Sequence, residues 1–254
     1  MILDLFRLDN RVAMVTGTHQ GIGQGMALAL AEAGADVVAL DRSDPAETRT
    51  AISALGRSFH WLQVDLATAT PATLADLVAT AVRRAGRLDV LVNNAGITRR
   101  AGVLELTEAD WDVVLQVNLK AAFFLAQAAG RHFVAQSHGK IINVASMLAY
   151  QGGIRVPSYA AAKSGMVGIT RAMANELAAQ NVNVNAIAPG YILTNHTQML
   201  HDDASRNPGI VARIPAGHWG SPGDLGGAVV YLASAASHYC HGMILNVDGG
   251  WLSR

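Results

Sequence analysis

The sequence predicts a single α/β domain built on a doubly wound parallel sheet with helices on both faces. Three observations carry this. Seven short apolar runs alternate with helical patterns along the chain, the rhythm of repeated strand–helix units. A cluster of glycines stands between the first run and the first helical pattern, where phosphate-binding turns lie in such sheets. Hydrophobic residues fill 51% of the 254 positions against 15% charged, the excess expected of strands covered on both sides.

Taken in order, Val12–Thr16 reads as the first strand and residues 21–33 as the first helix, which Gly34 would end. Asp36–Asp41 is the second strand, and 59–64 and 88–92 are the third and fourth. Residues 140–145, 182–188 and 243–247 complete the set, and helical patterns occupy about 71–85, 107–135, 158–180 and 222–235. Crossovers between parallel strands should be right-handed. The stretch 191–219 breaks the rhythm: it is rich in His, Asp, Asn and Pro and weakly periodic. Open α/β sheets bind ligands beyond the carboxyl ends of their strands, so this segment is expected to be a lid or substrate wall. No linker, low-complexity tract or internal repeat divides residues 1–254.

Lysine plus arginine and aspartate plus glutamate each number 19, for zero net charge. With no basic stripe, a nucleic-acid partner is not expected. Cys240 is the sole cysteine, so no intrachain disulfide can form, as suits a cytoplasmic protein. The opening MILDLFRLDN lacks the basic and apolar regions of a secretory signal. No apolar run approaches the roughly 20 residues that span a bilayer, so no membrane partner is expected. The nine histidines include no pair at H-x-x-x-H spacing, and no metal is expected.

The run Thr16-Gly17-Thr18-His19-Gln20-Gly21-Ile22-Gly23 follows the first strand and opens the first helix. Glycines at 17, 21 and 23 allow a tight turn and close approach to a pyrophosphate, which the helix N-terminus would favour. Asp41 ends the second strand, 24 positions after Gly17, near the spacing of about 20 at which an acidic residue meets the ribose hydroxyls. Its carboxylate would repel a 2′-phosphate, which favours NAD(H). Arg42 and His19 could greet that phosphate, leaving NADP(H) as the weaker alternative. Asp65 and Leu66, after the third strand, are placed for the adenine edge. Asn93-Asn94-Ala95-Gly96 follows the fourth strand, with small residues that let a flat ligand pass and amides that fix turns.

Tyr159 and Lys163 stand four apart on a helical pattern and share one face. Tyrosine titrates near 10, and a neighbouring ammonium would lower that value and fit the phenol for acid/base work. Ser146, at the end of the preceding strand, could hydrogen-bond a substrate carbonyl.

Together TGTHQGIG (16–23), NNAG (93–96), Asn118 in VNL, Ser146, YAAAK (159–163) and PGYILT (189–194) resemble the short-chain dehydrogenases/reductases over essentially the whole chain. The resemblance implies a Rossmann-type sheet in order 3-2-1-4-5-6-7, a homotetramer, and an Asn118, Ser146, Tyr159 and Lys163 tetrad. Tyr159 would be the acid/base, Lys163 would also grip the nicotinamide ribose, and Asn118 would hold a water of the proton relay. Pro189, Gly190, Ile192 and Thr194 would meet the nicotinamide end. GIGQGMALAL (21–30), SMLAYQGGIRVPSY (146–159), VNAIAPGY (184–191), RIPAGHWG (213–220) and DGGW (248–251) look closer still to a branch acting on keto-deoxy uronic acids from pectin or alginate, the 2-dehydro-3-deoxy-D-gluconate 5-dehydrogenases. NADH-dependent reduction of such a keto acid is therefore the expected activity. A 3-oxoacyl carrier-protein reductase would need a basic docking patch, and a non-catalytic dinucleotide-binding regulator would have no use for the tetrad.

A uronate carboxylate calls for arginine. Arg155, four residues before Tyr159, is the favoured candidate, ahead of Arg100 and Arg213. Gln151, His201 and Trp219 are candidates for sugar hydroxyls.

Overall fold

Strands form where the apolar runs predict them: β1 (Val12–Thr16), β2 (Asp36–Asp41), β3 (Phe59–Gln63), β4 (Val90–Asn93), β5 (Gly139–Val144), β6 (Val182–Pro189) and β7 (Ile244–Val247). The computed structural model, which describes Met1–Arg254, pairs them all in parallel in the order β3-β2-β1-β4-β5-β6-β7. Between them run α1 (Gly21–Glu32), α2 (Ala46–Ala54), α3 (Pro71–Ala85), α4 (Glu108–Leu115), α5 (Ala122–Ala135), α6 (Leu148–Gln151), α7 (Pro157–Leu177), α8 (Gln198–His201), α9 (Asn207–Arg213) and α10 (Gly226–Ala233).

The strands are apolar on both faces because both are covered. Alternate side chains feed two cores, as the two-residue strand period requires. Met14, Val38, Leu91 and Ile141 pack with Leu74, Leu125 and Phe133 from α3 and α5. Val15, Val37, Val92 and Ile142 pack with Met26, Leu30, Val229 and Leu232 from α1 and α10. Local chemistry sets the helix ends. In α3, the Thr70 hydroxyl accepts from Thr73 N, Pro71 occupies the first turn and Gly86 closes the helix at φ +78°.

Two segments differ from expectation. Residues 107–135 are not one regular helix: a π-helical turn, Gln116–Ala121, separates α4 from α5. The stretch Glu108–Ala135 is also long and apolar enough by composition to cross a bilayer, contrary to the expectation that no run is. Half of its apolar window is buried inside the fold, where α5 packs on the sheet as a core helix. Finally, 191–219 is not irregular. It carries α8 and α9 around a small core of its own, in which Met147, Leu200, Ile210, Ile214, Trp219 and Trp251 meet. A bridge between Ile192 and Gly220 closes the base of this excursion, with Leu193 N donating to Gly220 O at 2.8 Å and Gly220 N to Tyr191 O at 2.9 Å.

Candidate active site

The glycine-rich turn leads from β1 into α1. Gly17 has φ +75°, and a Cβ on Gly23 would lie 2.0 Å from Gly17 O, so the helix sits directly on the turn. Thr16 Oγ1 accepts from Asn94 N (2.9 Å) and Ala95 N (2.8 Å), while Asn94 Nδ2 donates to Thr16 O (2.9 Å). The NNAG segment is thereby stitched to the turn. Gln20, the N-cap of α1, makes no side-chain cap, which leaves the first-turn N–H groups for an anion. A backbone cradle without room for a Cβ, next to an uncapped twelve-residue helix, fits a dinucleotide pyrophosphate. Ile22 is half-buried behind it.

Asp41 does not present its carboxylate to a ribose as expected. Oδ2 accepts from Thr18 N (3.0 Å) and Thr18 Oγ1 (2.6 Å), and Oδ1 from His19 N (3.3 Å). Burial pushes its pKa up and these donors pull it back. The carboxylate braces the turn, and Thr48 of α2 adds a second brace by donating to Thr18 O at 2.7 Å. Arg42, His19 and Gln20 stand exposed beside it. Asp65 is exposed and caps its own turn by accepting from Ala67 N at 2.9 Å, with Leu66 half-buried next to it. Asn93 is also corrected: its side chain is buried and donates to Ala122 O and Asn143 Oδ1, so it clamps the core. Ala95 and Gly96 remain open to the cleft edge.

Ser146 lies two residues beyond β5 and is buried. Its Oγ accepts from Leu148 N at 3.1 Å, in the turn that starts α6. α7 begins with Pro157 in its first turn and presents Tyr159 and Lys163 on one face. Lys163 Nζ sits 5.6 Å from the Tyr159 ring centre and donates to Val144 O at 2.6 Å. Burial raises the Tyr159 pKa, and hydrogen bonding to Ser146 pulls it down. The expectation that Lys163 supplies that downward pull is corrected: the ammonium does not offset the burial, and burial pushes Lys163 itself down to about 8. Asn118 lies in the π-helical turn, fully buried. Its Oδ1 accepts from Ile97 N and its Nδ2 donates to Ile97 O, both at 2.8 Å, so the amide clamps the segment after NNAG.

Beyond the tetrad, Pro189 and Gly190 leave β6 beside Asp248, whose Cα a Cβ on Gly190 would meet at 2.6 Å. The Ile192 side chain is buried in the core on the α1 side of the sheet, leaving only its backbone for a ligand. Thr194 touches the position a Gly21 Cβ would take, and Asn195 Nδ2 donates to Gln20 Oε1 at 2.7 Å. Arg155 is exposed at φ +62°. Its carbonyl accepts from Ala101 N, but its side chain engages nothing. Gln151 instead meets Arg213, whose NH2 group donates to its Oε1 at 2.8 Å. Tyr191 packs on Trp219 and Trp251 with ring centres 4.8 and 4.9 Å apart, and His201 stands 5.5 Å from Trp219. Arg100 is exposed at the mouth. Thr16, Thr18, Thr48 and Trp251 were not anticipated. The Thr-x-Thr around Gly17 was the one available signal, since hydroxyls beside a glycine turn commonly hold it.

The family described as enoyl-(acyl carrier protein) reductase matches residues 17–252. The chain belongs to the short-chain dehydrogenase/reductase family. It is 55% identical to the 2-dehydro-3-deoxy-D-gluconate 5-dehydrogenase of Escherichia coli K12 over 255 residues, all of each chain. Its structure is similar to that of an Agrobacterium tumefaciens protein assigned as a 2-deoxy-D-gluconate 3-dehydrogenase with bound NADP (52% identity, 98% and 99% of the two chains, TM-score 0.93). It is similar also to a Burkholderia cenocepacia gluconate 5-dehydrogenase in complex with NADP and tartrate (39%, 100% of both chains, TM-score 0.95). The chain is thus an oxidoreductase of this family, acting on a hydroxyl or keto group.

Proposed function

We propose that this enzyme interconverts a keto group and an alcohol on a keto-deoxy sugar acid of the 2-dehydro-3-deoxy-D-gluconate type, as arises in uronate breakdown. The observation that carries the reading is the placement of Tyr159 and Lys163 on one face of α7, with Lys163 Nζ 5.6 Å from the phenol ring and buried Ser146 at the end of the neighbouring strand, set beside a cradle that fits a pyrophosphate. When bound, the dinucleotide supplies the hydride and, in its oxidised form, a positive charge. The chain's own residues handle the proton. Ser146 Oγ and the Tyr159 hydroxyl hold the carbonyl oxygen, and Tyr159 donates its proton as negative charge develops there. Its raised pKa keeps the phenol protonated at neutral pH, the form that reduction needs. Lys163, with a pKa of about 8, is charged at pH 7 and is fixed by Val144 O to hold the ribose. Asn118, in the π-helical turn, would hold the water that returns protons through Lys163.

Asp41's charge opposes a 2′-phosphate, but burial and three donors blunt it, and Arg42 stands exposed alongside. We therefore take the enzyme to use NADPH as well as NADH.

Replacing Tyr159 with Phe should lower turnover of 2-dehydro-3-deoxy-D-gluconate, followed by absorbance of the reduced nicotinamide, by about 10²–10⁴-fold. Dinucleotide affinity by fluorescence titration should stay within about twofold. Wild-type turnover in that variant would overturn the assignment.

A further inference from the structure

The corner between α6 and α9 holds a guanidinium that no carboxylate answers. Arg213 lays its guanidinium carbon 4.1 Å from the centre of the Trp251 ring and donates one hydrogen bond, to the neutral amide of Gln151. Arg11, Arg49, Arg87 and Arg99 each pair with an aspartate, whereas Arg213 pairs with none. Arginine has five N–H donors in a rigid fork, so most of this fork has no acceptor within the chain. The buried indole N–H of Trp251 also lacks one. Tyr191, wedged between Trp219 and Trp251, feels the positive charges of Arg206, Arg213 and Arg100 together. The spare N–H donors of Arg213 and Trp251, with positive charge around Tyr191, are the chemistry that takes a carboxylate.

The corner is tied to the reacting end of the site. Gln151 ends the short helix whose first N–H is held by Ser146 Oγ. Gln151 stands only five positions after Ser146, across the turn and the single-turn helix that follow it. Met147, next to Ser146, is part of the same small core as Trp219 and Trp251. Stacking on Trp251 and the bond to Gln151 hold the fork in place before any ligand arrives, so little side-chain entropy is lost on binding.

We propose that Arg213, stacked on Trp251 and steered by Gln151, is the specificity-determining residue that binds the substrate's carboxylate and so selects acidic keto sugars over neutral ones. Arg155, the candidate favoured by sequence, stands exposed with no side-chain contact to hold it in place. The inference rests on the reductase reading above.

The test compares kcat/KM for 2-dehydro-3-deoxy-D-gluconate with that for its neutral analogue, in which a primary alcohol replaces the carboxylate. Arg213→Ala should lose about 10–100-fold on the acid, mainly through KM, as expected for a charge-assisted contact. The neutral analogue should change by less than about twofold. Arg213→Lys should restore part of the loss. Gln151→Glu should also raise KM for the acid, since it gives Arg213 an internal carboxylate while keeping the α6–α9 contact. A purely structural role would not produce that effect. Equal losses on acid and neutral substrates, or an unchanged ratio in both Arg213→Ala and Gln151→Glu, would overturn the inference and leave the reductase reading intact. A wild-type enzyme that turns over no keto-sugar acid would bring down both.

Discussion

Lys140 is the second residue of β5, the strand that leads to Ser146, yet it serves no step of the chemistry. It is 3% exposed, and its Nζ meets only the neutral Ser237 Oγ, at 3.2 Å. Burial drives its pKa from 10.5 to about 8. At about 1.4 kcal/mol per pKa unit, this amounts to about 3 kcal/mol against the charged form at neutral pH. Lys140→Met keeps the volume, removes the charge and loses one hydrogen bond worth about 1 kcal/mol. Ser237 Oγ still donates to Leu232 O, so no polar group is stranded. The net expectation is a gain of about 2 kcal/mol at pH 7, or a Tm rise of about 4–8 °C for a chain of this size. The gain fades as pH rises. The folded pKa lies below the unfolded one, so between pH 8 and 10.5 the unfolded chain binds more protons and wild-type stability rises. The advantage of Lys140→Met should thus shrink to near zero by about pH 9.5. Urea unfolding at the two pH values reads both quantities. A variant less stable than wild type at pH 7, or an advantage independent of pH, would refute the reasoning.

Two further predictions concern the cofactor cradle. Gly23→Ala forces a Cβ against Gly17 O and should weaken dinucleotide binding by about 10–100-fold, as overpacking of 1–3 kcal/mol implies. Gly168→Ala, with nothing within 4 Å of the added carbon, is the control, and calorimetric titration distinguishes them. Arg42→Ala should raise KM for NADPH about tenfold, the loss of one charge-assisted contact, and leave KM for NADH within about twofold; steady-state kinetics with both dinucleotides checks this.

The sheet was legible because parallel strands buried on both faces are mostly apolar, as DVVALD and KIINVA are between their few polar residues. Tyr159 and Lys163 were legible because four residues make one helical turn. Asp41 was placed correctly at the end of β2, but its partner was not. Spacing locates a carboxylate along a strand without saying that Thr18 will turn back to take it. The π-helical turn at 116–121 left no trace, since one added residue per turn does not alter the composition of an apolar helix. Arg213 and Gln151 lie 62 positions apart. Only the folding of the 191–219 segment over α6 brings them together, and that segment's weak periodicity hid α8 and α9.

The closure of that segment on itself has an evolutionary consequence. Both of its ends meet at the Ile192–Gly220 bridge, and it supplies Leu200, Ile210, Ile214 and Trp219 of a small core that Met147 and Trp251 complete from outside it. It behaves as a cassette plugged into the edge of the sheet. One contiguous stretch of chain can be rewritten to suit a new substrate while β5 and α7 continue to carry Ser146, Tyr159 and Lys163 unaltered. A scaffold wired in this way separates the inheritance of a reaction from the inheritance of its specificity.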